Sequence, residues 1–139
     1  MSTGTMVSEV IHLFVAALWT GSVMFFALGV LPVARTNLTD RILDRFVMLS
    51  RGSSVVMLLT GGHLAATQYG DGALTGTARG HAVLGMLALW VVLMGLLEAG
   101  NARVEGDTVG PTATRLFQAG ALVAALLLVD AGLLLSGAV

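Results

Sequence analysis

The chain has 139 residues, 56% of them hydrophobic and 11% charged, with a formal net charge of −1. Soluble domains carry about 25% charged residues, so this composition, with its mean hydropathy of +0.91, marks a single membrane domain spanning 1–139. The balance leaves no basic patch for nucleic acid, and the lack of cysteine excludes disulfides, thiolate zinc sites and cysteine nucleophiles.

The apolar residues fall in four blocks, each long enough to cross a bilayer whose hydrocarbon takes about 20 helical residues. The first, 7–33, reads VSEVIHLFVAALWTGSVMFFALGVLPV. The segment before it has no positive n-region and no obvious cleavage site, so this block is expected to be a retained helix rather than a signal peptide. It is expected to end near Pro32, because the residue before a proline is pushed out of the helical region. Inside lipid an imidazole such as His12 is costly unless it is paired or used. The connection ARTNLTDRILDRF follows, and Leu38, Ile42 and Phe46 at helical spacing predict a short amphipathic lead-in at the interface.

The second block, 46–69, contains LLTGGHLAATQY, with Gly61 and Gly62 directly before His63. Small residues let membrane helices approach closely, so tight helix contact is expected there. Gly70 to Gly80 reads as a loop, and the third block, 81–103, carries His81 in its first turn and Glu98 near its far end. After VEGDTVGPT, Pro111 is well placed to open a helix. The fourth block, 113–135, holds Gln118 near its start and Asp130 near its end. Glu98 and Gln118 are expected to join the third and fourth helices.

The expected fold is all-α, an integral membrane four-helix bundle with antiparallel up-down topology. If the helices alternate, the first and third connections hold six arginines and the remaining segments only Arg79. Basic residues favour the cytoplasmic side, so both termini are expected outside, in a multi-pass protein of the cell membrane. That topology gives the histidines a common depth. At about 1.5 Å per residue, His12 lies roughly 8 Å, His63 roughly 9 Å and Asp130 roughly 10 Å from the outer ends of their helices. His81 starts its helix at the same face.

Sites of this kind are built from facing helices in bundle cores. A copper site takes imidazole and thioether ligands, which points to His12, His63, His81 and Met86, with Met6 and Met57 as further sulfur candidates. A haem b site takes axial imidazoles, for which His12 and His63 form the preferred pair. Gly61, Gly62 and Gly85 are the residues that leave room for a macrocycle, and His81 then suits propionate contact or gating. Asp130 and Trp19 are supporting residues. A third reading has no ligand: each histidine bonds a neighbouring helix, Asp130 pairs with a histidine or Arg79, and the tryptophans and methionines pack. No catalytic residue is assigned.

The stretch VIHLFVAALWTGSVMFFALGVLPVAR, with His12, Trp19, Gly21 and Pro32, resembles the first helix of the CopD-like copper-resistance membrane domain. The arginine-led second block with its LLTGG is similar to the same family. The resemblance implies four-helix membrane units that import or handle copper, with His12 at the family's early histidine and Trp19 and Gly21 at its WxG signature. CopD proteins are longer than this single unit, which implies a homodimer or a membrane partner. The related HemJ-type oxidases share the early histidine and bind haem b, but carry a lysine in the third helix. This chain has no lysine.

Overall fold

The computed structural model describes residues 2–34, 38, 40–70 and 72–138. They are almost wholly helical: α1 (Thr3–Phe25), α2 (Leu31–Ala34), α3 (Asp40–Gln68), α4 (Ala73–Gly76), α5 (Ala78–Asn101) and α6 (Pro111–Ser136). The only strands among these residues are β1 (Val104–Glu105) and β2 (Thr108–Val109), paired antiparallel between α5 and α6. Arg35, Thr36, Asn37 and Thr39 of the first connection lie outside the described residues, as does Asp71.

The first helix does not stop before its proline. Pro32 has no N–H, and its ring crowds the carbonyl four residues back. The strain is taken up by a π-helical turn over Phe26–Val30, in which the Leu31 N–H reaches the Phe26 carbonyl. Helix continues beyond it, so Thr3–Ala34 forms one rod of 32 residues. Ser2 caps its start by accepting from the Thr5 N–H. The expected interfacial lead-in is likewise not separate, because Asp40–Gln68 is one helix of 29 residues, about 43 Å long at 1.5 Å per residue. Its first turns carry the charged Asp40, Arg41, Asp44 and Arg45.

Among the described residues three helical rods are long and apolar enough to cross a membrane: Thr3–Ala34, Ala78–Asn101 and Pro111–Ser136. Helix α3 has the length but not the apolarity, since Ser50, Arg51, Ser53, Ser54, Thr60 and His63 dilute it. Its buried serines, Ser50, Ser53 and Ser54, are small enough to let it pack tightly.

The long helices pack in the spatial order α3, α1, α6, α5, with α1 between α3 and α6. Helices α3 and α5 touch only slightly, so the ring is nearly open on that side. Core residues concentrate toward the end that carries the hairpin: Trp19, Val23, Phe26, Phe46, Leu93, Leu97 and Phe117 are all buried. Phe26 stacks on Phe46 at 4.1 Å between centroids, and Phe117 meets Phe26 edge-on at 5.1 Å. Gly100 lets α5 come close to that cluster: a Cβ there would stand 3.1 Å from the Phe117 ring, which would have to shift by a few tenths of an ångström. The hairpin turns at Gly106, whose φ of 58° suits glycine. It is tied down by the Leu38 N–H, which donates to the Asp107 carbonyl at 3.0 Å.

Candidate functional site

At the opposite end, where both termini lie, the four long helices enclose a half-open cavity of about 340 Å³. Its walls are chiefly leucine with some alanine, and Glu9, Thr20, Gln68, Tyr69 and Arg79 are polar lining. Arg79 also donates to the Leu134 carbonyl at 3.2 Å, joining the start of α5 to the end of α6. Because α3 and α5 barely meet, the cavity separates them along this half of the molecule.

His12 is the one histidine lining this cavity, and its hydrogen bonding fixes its chemistry. Thr60 donates its single hydroxyl proton to the Val56 carbonyl at 2.7 Å. The same oxygen lies 2.8 Å from His12 Nδ1, and with the Thr60 proton on the Val56 carbonyl it accepts from Nδ1–H. In a neutral ring held this way the lone pair is on Nε2, which has no hydrogen-bond partner among the described residues. Such fixing of one nitrogen by a hydrogen bond to the other is how imidazole ligands are commonly oriented. Gly61 makes the approach possible, since a Cβ there would lie 3.0 Å from His12 Cε1.

Two sulfurs share the cavity with His12. Met57 stands one helical turn from Gly61 on the same face of α3, and Met86 lines the wall from α5. Trp19 and Gly62 also line it. Trp19 donates from Nε1 to Ser50 Oγ at 2.8 Å, which ties α1 to α3 below the cavity. Trp90 contributes its ring to the wall, and its Nε1 is buried without a partner.

The other residues singled out from the sequence lie elsewhere. His63 is exposed, and being two residues beyond Gly61 it stands about 200° around α3 from the face that meets His12. The two imidazoles thus occupy adjacent helices but point apart. His81 is exposed and donates from Nε2 to the Thr75 carbonyl at 2.9 Å, so it fastens the short helix α4 to α5. Gly85 faces outward with open space where a Cβ would be, and Met6 is exposed at the start of α1. Asp130 is half-buried outside the cavity lining, with Oδ2 sealed and unpartnered. Among the described residues, no group of three or more His, Asp or Glu side chains is disposed to hold a metal ion.

Glu98 does not reach the fourth helix. It accepts from Arg51 Nε and the terminal guanidinium nitrogen at 2.8 and 2.7 Å, a bidentate pair that joins α5 to α3. Gln118 is exposed on α6. The residue that sequence reasoning overlooked is Thr60. The available signal was a hydroxyl directly before Gly61 and Gly62, where the backbone of a second helix can come close.

Comparison with protein-family models, with curated proteins and with solved structures gives no match.

Proposed function

We propose that this is a CopD-like membrane protein that binds and handles copper in its reduced state, with His12, Met57 and Met86 as ligands. The observation that carries the reading is one cavity lined by an imidazole, bonded through Nδ1 to Thr60 and unpartnered at Nε2, and by two thioethers. Soft thioether donors combined with imidazole select Cu(I) over harder divalent ions, which take carboxylate and carbonyl oxygen. The protein's part is to hold the imidazole in the ligating tautomer through Thr60 and to surround the ion with apolar walls that keep water out.

The proposed setting is a four-helix membrane bundle with both termini outside, so that the cavity opens in the outer leaflet. Arg41, Arg45, Arg51, Arg103 and Arg115 stand toward the hairpin end, which supports a cytoplasmic position for it. In that setting α3 crosses with the other three long helices, and its exposed Gly52, Gly62 and His63 are sheltered by a second copy or a membrane partner.

Haem b fits less well within one chain. A cavity with His12 alone offers one axial imidazole, and His63 points away from it. A five-coordinate haem on His12 is the form that the donor set allows.

The test is metal analysis and Cu(I) titration of detergent-purified protein against a competing chromogenic chelator, with an absorption spectrum of the same sample. One Cu(I) per chain, lost in His12→Ala and weakened in Met57→Leu and Met86→Leu, supports the proposal. A Soret band that disappears in His12→Ala replaces it with the haem reading. Absence of both in folded protein overturns both and leaves a ligand-free accessory subunit.

A further inference from the structure

Asp130 stands apart from the proposed copper ligands and is the one carboxyl with a sealed, unpartnered oxygen among the described residues. It belongs to α6 and lies six residues before Ser136, about 9 Å along the axis from that helix end. The register between α5 and α6 is fixed by two contacts: Arg79 on the Leu134 carbonyl, and Leu93 and Leu97 against Gly120. This sets Asp130 at the level of the turn around Val83, a stretch of α5 that offers no side-chain donor.

The charged and titratable groups near that level are otherwise engaged. On α5, Arg79 donates to Leu134 one turn nearer the helix end, and His81 donates to Thr75. On α1, Glu9 and His12 line the cavity, which Asp130 does not. Among the described residues no donor reaches the sealed oxygen and no cation pairs with the carboxyl, in an environment where an ion without either is very costly. The neutral acid has no such difficulty, because its O–H can donate to a carbonyl of its own helix one turn back, as hydroxyl side chains do.

We propose that Asp130 is a proton-exchange site inside the membrane layer, holding a proton at neutral pH and releasing it through the terminal end of α6. The residue is half-buried rather than enclosed, so one side of the carboxyl remains within reach of that end. The site does not depend on copper. Proton occupancy of Asp130 is a property of α6 and its surroundings.

The experiment uses the full-length, metal-free protein in lipid nanodiscs. It is treated with dicyclohexylcarbodiimide, which enters apolar regions and reacts with protonated carboxyls, and the modified residues are mapped by mass spectrometry across a pH series. The expected result is modification of Asp130 at neutral pH, absent in Asp130→Asn, falling about tenfold per pH unit once the group has lost its proton. Failure of Asp130 to react in folded wild-type protein at neutral pH overturns the proposal. So does reaction that stays level into the alkaline range, which identifies a fixed structural acid. Both readings come from the wild-type chain, so neither depends on how the Asn variant folds.

Discussion

The two ends of this protein are built from the same four helices and are packed in opposite ways. Toward the hairpin, Phe26, Phe46 and Phe117 interlock, Trp19 is bonded to Ser50, and Leu38 and Val109 close the end. Toward the termini the helices carry Gly61, Gly62, Ala16 and Ala65, and the space these small residues leave is the cavity. The closed packing lies in one half, and the residues of the proposed ligand site lie in the other. The aromatic half fixes the helices in register, and the small-residue half is thereby free to stay open around His12.

The sharpest way to break this division is to damage the closed end. Phe117 is fully buried, and Phe117→Ala is expected to cost about 3–5 kcal/mol, the range for removing a core aromatic ring. Leu58→Ala in the cavity wall is the matched control: Leu58 is already 48% exposed, so its loss is expected to cost under about 1 kcal/mol. Unfolding of the detergent-solubilised variants measures both, and equal costs would contradict the division.

A second change acts on the open end alone. Thr60→Val removes the oxygen that accepts from His12 Nδ1 and frees the imidazole to change tautomer or rotate. Loss of such an orienting partner typically lowers metal affinity about 10–100-fold. Copper titration is expected to show that loss with little change in unfolding. An unchanged affinity would mean that Thr60 does not orient the ligand.

The smallest expected effect is where α3 meets α5. Arg51 and Glu98 remain 57% and 42% exposed although bidentate, and exposed pairs contribute little to stability. Arg51→Gln is therefore expected to leave the unfolding transition nearly unchanged while loosening α3 from α5. Hydrogen exchange around Ser50–Ser54 should rise, and unchanged exchange would show that the pair is not what joins these helices.

Much of the helical framework was readable because apolar blocks of spanning length admit few structures in lipid. The π-turn was not, since it answers a clash between Pro32 and a carbonyl that only appears once helix is assumed on both sides. The lead-in was misjudged because amphipathic spacing at Leu38, Ile42 and Phe46 looks the same whether the segment lies flat or extends the next helix. Depth along each helix, at a fixed rise per residue, put His12 and His63 in one layer. Angle around the helix decided the rest: two positions separate Gly61 from His63, and those two turn the imidazole away. Met86 shares the cavity with His12 because α5 turns that face toward α3. Sequence spacing alone does not say which face of α5 that is. Thr60 was missed because its importance comes from the bond it makes to α1, and nothing in its own neighbourhood distinguishes it from a packing threonine.

The central claim is that His12 and two thioethers form one copper site at the open end. X-ray absorption at the copper edge of the Cu(I)-loaded protein tests it most directly, because nitrogen and sulfur neighbours scatter at different distances. The account predicts a mixed shell with sulfur dominant, which loses sulfur in the Met57→Leu, Met86→Leu double variant and loses nitrogen in His12→Ala. A shell of nitrogen and oxygen only, unaltered by the methionine substitutions, would contradict it.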